Sequence, residues 1–293
     1  MASGERGRGD RGAPSVTTVS PRLSLALLAP LLLLFGVLFV YPLARLLPES
    51  LFSPALTLKY YQRLFTVPLY ASVFWRTVRI AAITTAICLA LGYPTAYLLS
   101  RLEGRRAKLL LLFVILPVWT SVIVRVYAWM ALFQANGIIN RTLMDLGLAG
   151  EPLRIMYNER AVLIGMAHVL LPFMILPIYS VLRGVDAHLL LAAQNLGANG
   201  WQVFRWVVLP LSLPGAATGA MFVFILSLGF YITPALLGGP RVLMIATMID
   251  QQVNEMLNWP FAAAMAVVLL GLTLALVGVF TRFVGFERIY QAT

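Results

Sequence analysis

The stretch Asp186-Ala-His-Leu-Leu-Leu-Ala-Ala-Gln-Asn-Leu-Gly-Ala-Asn-Gly-Trp-Gln-Val-Phe-Arg-Trp-Val-Val-Leu-Pro210 lies between two long apolar runs and has the marks of a docking element. Asp186 is placed to cap a short helix, its carboxylate accepting the free amides of the first turn. Leu189, Leu190, Ala193 and Leu196 follow at helical spacing, and Gly197 stops the helix where a left-handed residue is commonly required. Asn199 followed by Gln202 has the form of a capping box, opening a second helix that runs into the next apolar stretch. The small residues Ala192, Ala193, Gly197 and Ala198 leave room for another protein to approach closely. On spacing alone, the same stretch also fits an ordinary amphipathic connector.

Outward from this loop the chain is almost entirely apolar. Of its 293 residues, 60% are hydrophobic and only 11% charged, against roughly 45–50% and 25% in soluble domains. The expected fold is therefore an all-α membrane protein. Six runs, at about 23–47, 77–99, 109–132, 161–182, 207–236 and 261–284, reach the ~17–25 residues that a bilayer core demands. The first is longer than the ~7–15 apolar residues of a secretory signal and reads as a span. Proline lies in or beside most of them (Pro30, Pro42, Pro94, Pro117, Pro172, Pro177, Pro210, Pro214), so bent helices are expected. Residues 1–22, with four arginines and little to bury, read as a disordered cytoplasmic tail; residues 23–293 form the transmembrane domain.

Charge suggests the orientation. With the N-terminus in the cytoplasm, the inner side holds twelve bases against five acids and the outer side nine against six. The loop from Arg101 to Lys108 is the clearest part of this positive-inside bias. The net charge of +11 is scattered over span ends, not clustered with aromatics, so nucleic acid is not expected as a partner. Between the first two spans, Leu58-Lys-Tyr-Tyr-Gln-Arg-Leu-Phe65 fits a short amphipathic helix at the outer interface, and its aromatics fit a membrane belt.

The same census limits the chemistry. No Asp or Glu falls within the six runs, which disfavours a carrier driven by protons or sodium, since such carriers hold their coupling ion on intramembrane acids. The two lysines, Lys59 and Lys108, follow Leu58 and Ala107, so the chain has no Gly-Lys-Ser or Gly-Lys-Thr phosphate loop. Uphill work would need another subunit to hydrolyse the nucleotide. Two histidines and the single Cys88 make a poor metal or catalytic site; no catalytic residue, cofactor or metal is expected. His168 reads as a hydrogen-bonded interhelical residue. Arg125 falls inside the third run and must snorkel, pair or line a wet cavity, which leaves both anchoring and a pathway role open.

At this point a resemblance becomes specific. Ala192-Ala193, three residues, Gly197, nine residues, Val207, one residue, Leu209-Pro210 resembles the EAA signature of ABC importer permeases, although Leu191 stands where that signature has Glu. Pro117-Val-Trp-Thr-Ser121 with Arg125-Val-Tyr-Ala-Trp129, Asn136-Gly-Ile-Ile-Asn140, His168-Val-Leu-Leu-Pro-Phe-Met-Ile-Leu-Pro177 and Ile232-Thr-Pro-Ala-Leu-Leu-Gly-Gly239 are similar to the spermidine/putrescine branch of the type I importers. Gly229-Phe-Tyr231 departs from it, since those permeases often have an acid after the glycine.

The resemblance implies a bacterial plasma (inner) membrane subunit with both termini cytoplasmic. It implies a second permease, a dimer of ATPase subunits, a periplasmic or extracellular substrate-binding protein and the lipid bilayer as partners. Residues 186–210 would couple to the ATPase through Asp186, Leu191, Ala192, Ala193, Gly197, Ala198, Leu209 and Pro210. Trp119, Arg125, Tyr127 and Tyr231 are the candidate pathway residues, although aromatics in spans also serve packing. The expected cargo is a polyamine or a related small polar solute. A permease for another organic solute, a non-transporting scaffold and an ion-coupled carrier are the rival readings.

Overall fold

The computed structural model describes residues 21–52 and 55–284. All but the last two residues of the expected tail, together with Glu287 and Arg288, lie outside them. The chain divides into two units, Met1–Pro48 and Glu49–Thr293. Among the described residues there are helices and no strand, in agreement with the expected class. Six stretches are long and apolar enough to cross a membrane: Leu23–Leu51, Pro68–Arg101, Val122–Asp145, Glu159–Arg183, Gly200–Leu228 and Trp259–Arg282.

In the first unit, α1 (Pro21–Phe35) passes through a π turn, Gly36–Val40, into α2 (Tyr41–Leu51), whose last three residues belong to the second unit. The turn has a local cause. Pro42 has no N–H to offer the carbonyl four residues back, and the Tyr41 amide reaches Gly36 instead, one residue further than an α-helix allows.

In the second unit the core is built from α4 (Pro68–Arg101), α8 (Glu159–Arg183) and α11 (Leu209–Leu228). Cys88, Ala96, Met166, Leu170, Met174, Ile178 and Val223 are buried among them. Without a strong hydrophobic force between helices in lipid, close backbone approach supplies the attraction. Gly219 provides it: a Cβ there would stand 2.9 Å from the Met174 carbonyl oxygen. A smaller cluster joins α3 (Lys59–Thr66), α12 (Ile245–Asn254) and α13 (Trp259–Val284) around Phe261. Tyr70 meets that ring edge-on at 5.0 Å, and the Arg63 guanidinium lies 5.0 Å from its centroid. The amphipathic helix expected after the first span is therefore present as α3; of its aromatics Tyr60 is a buried packing residue, whereas Phe65 is exposed.

Two expected spans are broken. Residues 109–132 are not one helix: α5 (Gly104–Trp119) ends, Thr120 and Ser121 are non-helical, and α6 (Val122–Phe133) begins anew. Pro117 offers no N–H to the helix, and the Thr120 amide and hydroxyl both turn back to donate to the Pro117 carbonyl, at 3.3 and 2.9 Å. Likewise residues 207–236 stop as a helix at Leu228, beyond which Gly229, Phe230 and Tyr231 are irregular. Helix resumes at Ile232 and passes into a π turn, Pro234–Gly238. A glycine followed closely by a proline removes both the propensity and the donor that a continuous helix would need. Irregular backbone at membrane depth is tolerated where protein or a water-filled cavity shields it.

Candidate functional site

The loop between α8 and α11 folds as its residues dictate. Asp186 caps α9 (Ala187–Asn195), its Oδ1 accepting the His188 amide at 2.8 Å. The helix ends in a Schellman arrangement: the Ala198 amide donates to Ala193, at 3.1 Å, and the Gly197 amide to Gln194, at 2.9 Å. Gly197 has φ +87, the left-handed conformation that a Cβ disfavours. The Asn199 capping box is complete, Gln202 N–H donating to Asn199 Oδ1 at 2.9 Å and Asn199 N–H to Gln202 Oε1 at 2.8 Å. It opens α10 (Gly200–Val203) and a π turn, Phe204–Val208, before α11. Leu209-Pro210 explains that turn, since Pro210 has no donor to return and the Leu209 amide reaches back to Phe204.

One side of this knuckle is seated and the other is free. Leu190, Ala193 and Ala198 pack against the core, whereas Leu189, Leu191, Leu196 and Trp201 are exposed, Leu196 at 89%. Ala192 is also exposed. Leu191 thus presents a methyl-bearing side chain on the outer face of α9, where the resembling signature has a carboxylate.

The loop is tied to α4 by contacts that spacing within the loop does not reveal. Phe204 meets Tyr97 edge-on at 5.4 Å and Tyr93 at 6.1 Å, and Trp201 stacks on Phe204 at 5.6 Å. Tyr93 also shares a hydrogen bond of 2.6 Å with Ser212 of α11. The only sequence signal for these contacts is the Tyr93–Tyr97 spacing of four, which puts both rings on one helix face.

The candidate pathway residues gather at the two breaks. Trp119 is the last residue of α5, Arg125 and Tyr127 lie in the first turns of α6, and Tyr231 lies in the gap after α11. Trp119, Tyr127 and Tyr231 are exposed, at 87, 57 and 40%. No hydrogen bond or ring contact joins the four to one another among the described residues. Arg125 is only 9% exposed, and its Nε and Nη1 are buried without a hydrogen-bond partner. On the same face of α6 the Trp129 indole donates to His168 Nδ1 at 3.2 Å, so His168 is the interhelical hydrogen-bonding residue expected of it and carries its own proton on Nε2.

Sequence reading missed Asp250. The Tyr231 hydroxyl donates to Asp250 Oδ2 at 3.0 Å, and Asn254 Nδ2 donates to Oδ1. An acid therefore stands beside the fifth-span break although Gly229-Phe-Tyr231 lacks one. Thr233, fully buried with an unpartnered hydroxyl, lies in the segment that follows and was likewise missed.

Known proteins resemble this chain in sequence and in fold. Residues 24–285 match the family described as binding-protein-dependent transport system inner membrane component. The spermidine/putrescine transport system permease protein PotB of Haemophilus influenzae is 39% identical over 234 residues, 80% of this chain and 82% of that protein. Its Escherichia coli namesake is 38% identical over 213 residues, 73% and 77% of the two chains. The inner membrane ABC transporter permease protein YdcU of Escherichia coli is 34% identical over 281 residues, 87% and 88% of the two. Among solved structures, a bacterial ABC transporter that imports the acidic polysaccharide alginate superposes with a TM-score of 0.76 at 16% identity, covering 90% of this chain and 95% of that one. At that identity the likeness is one of fold.

Proposed function

The chain belongs to the family of binding-protein-dependent transport system inner membrane components, and from that premise we propose that it is a permease subunit of an ATP-driven polyamine importer. It pairs with a second permease, receives spermidine or putrescine from an external binding protein and is powered by a dimer of separate ATPase subunits. Both termini face the cytoplasm, which brings residues 186–210 to the ATPase. The relatives at 38–39% identity, named for spermidine and putrescine transport, support the cargo.

One observation carries the mechanism: a knuckle capped at both ends joins the core helices α8 and α11 directly and leaves Leu189, Leu191 and Leu196 exposed. Closure of the ATPase dimer on ATP draws the knuckles together. Because Phe204 seats the loop on Tyr93 and Tyr97, the displacement reaches α4, α8 and α11 as a rigid-body movement, and packed helices respond between two discrete states. The breaks beside Trp119 and Tyr231 give the pathway its irregular backbone. Tyr231, Tyr127 and Trp119 offer ring faces to ammonium groups, and Asp250 supplies the countercharge.

The test is reconstitution. This chain, its permease partner, the ATPase and the binding protein in liposomes should accumulate labelled spermidine only with ATP and binding protein both present. Accumulation by the chain alone under an ion gradient would overturn the assignment.

A further inference from the structure

We infer that the permease holds one anionic phospholipid at the end of its spans that carries residues 186–210, with the phosphate between Lys108 and Arg183 and one acyl chain in a groove among α4, α5 and α8. Two adjoining cavities lead to this inference. The first, about 470 Å³, is lined by Leu98, Leu102, Phe113, Pro117, Leu171 and Ile175, with Thr95 and His168 its only polar lining residues. Between them these two residues leave one donor, the His168 Nε2 proton, without a hydrogen-bond partner among the described residues, in an otherwise hydrocarbon lining. Thr95 donates its hydroxyl to the Leu91 carbonyl of its own helix, and His168 Nδ1 is taken by Trp129. A slot so apolar, within membrane-spanning helices and with Leu98 and Phe113 exposed at 64 and 70% along it, suits a hydrocarbon chain.

The second cavity, about 340 Å³, meets the first at Leu102 and has the opposite character: Glu103, Lys108, Tyr179 and Arg183 line it. Two bases, Lys108 and Arg183, thus face a single acid in the lining, and Arg105 and Arg106 lie with Lys108 in the first turns of α5. Among the described residues neither Lys108 nor Arg183 has an ion-pair or side-chain hydrogen-bond partner; the ion pair that is formed there, Arg79 with Glu159, lies at the other end of α8. Basic pockets between helices beside an apolar groove match a phosphodiester headgroup and its tail together. Charge complementarity thus selects the headgroup and the groove selects the tail, which favours a lipid over a free phosphate. The site also has a consequence for transport, because Arg183 is the last residue of α8 and lies three positions before the cap of α9. A lipid bridging Lys108 and Arg183 would brace α5 against the helix that leads into the knuckle.

Native mass spectrometry of the whole detergent-solubilised transporter, equilibrated with equal amounts of phosphatidylglycerol and phosphatidylcholine of identical chains, tests this. Phosphatidylglycerol should remain bound preferentially, and Lys108→Gln or Arg183→Gln should each lower its retention about fivefold, the effect of one basic residue near an anionic surface. Both substitutions alter exposed side chains and leave packing intact. Val114→Phe, which narrows the groove, should weaken retention of both lipids. Equal retention of the two lipids, indifference to both charge substitutions, or displacement of the lipid by millimolar inorganic phosphate would each overturn the inference. So would a photo-crosslinker at Leu110 that labels the second permease in place of lipid.

Discussion

Phe204 presents its ring edge-on to Tyr97, centroids 5.4 Å apart and planes at 77°, which ties the segment after the knuckle to a core helix more than a hundred positions away. Aromatic pairs of this kind are worth ~0.5–1.5 kcal/mol beyond the area they bury. The Phe204→Ala protein should therefore assemble and reach the membrane, while the stimulation of ATP hydrolysis by loaded binding protein falls fivefold or more, on the scale of ordinary coupling energies (~1–3 kcal/mol). Parallel assays of uptake and ATPase activity in proteoliposomes check it. Equal loss of both activities would mean a folding defect, not lost transmission.

Gly197 separates backbone from packing. Its φ of +87 costs an ordinary L-residue ~1–2 kcal/mol, yet a Cβ there would meet nothing within 4 Å. Asparagine tolerates this region better than most residues. Gly197→Asn should couple nearly as the parent does, whereas Gly197→Val should lose ATPase binding through distortion of the α9 terminus. Co-purification of the ATPase with each variant measures the difference, and indistinguishable behaviour of Asn and Val would contradict the role given to the left-handed turn.

What the sequence disclosed and what it hid divide along the range of the interactions. The Asp186 cap, the Gly197 stop and the Asn199–Gln202 box rest on hydrogen bonds closed within five positions, so residue types at fixed spacing determined them. The break at Thr120–Ser121 was hidden because hydropathy averages over an apolar run, and Pro117 fits a bend as well as an interruption. Asp250 was missed because its partner Tyr231 lies nineteen positions away across irregular backbone, where no period applies. Arg125 could be placed in a span from the sequence, but which face of α6 it occupies depends on how that helix meets its neighbours.

Asp250 gives a charge test of the pathway. In Asp250→Asn the hydrogen bond from Tyr231 keeps an acceptor and the carboxylate charge is lost, so fold and abundance should be unchanged while spermidine uptake falls. Asp250→Glu retains the charge and should retain most of the uptake. An attraction of ~1 kcal/mol, ordinary for a unit charge pair at a few ångströms in high dielectric, corresponds to about a fivefold effect. Uptake rates at matched membrane abundance decide it, and equal rates in Asp250→Asn and the parent would exclude Asp250 as a countercharge.

Leu191 stands 54% exposed on the outer face of α9, so exchanging it should hardly affect folding, surface substitutions costing within about ±0.5 kcal/mol. Leu191→Glu restores the acid of the resembling signature and removes an apolar side chain from the Leu189–Leu196 face. Retention of the cognate ATPase on the purified permease should weaken, because that ATPase meets a leucine in the parent. Stronger retention would instead reveal a base on the ATPase positioned for the missing carboxylate.

Arg125 sets stability against transport. Its guanidinium is buried with Nε and Nη1 unpartnered, and each unsatisfied buried donor costs ~1–3 kcal/mol. Methionine keeps much of the length without charge or donors, and replacing buried charge by apolar volume is often neutral or stabilising. The Arg125→Met permease should therefore melt at the same or a higher temperature than the parent, while uptake falls because the charge beside the third-span break is gone. Thermal unfolding of the purified complex and uptake at matched abundance read the two effects separately. A drop in melting temperature would show that Arg125 anchors the fold, and unimpaired uptake would remove it from the pathway.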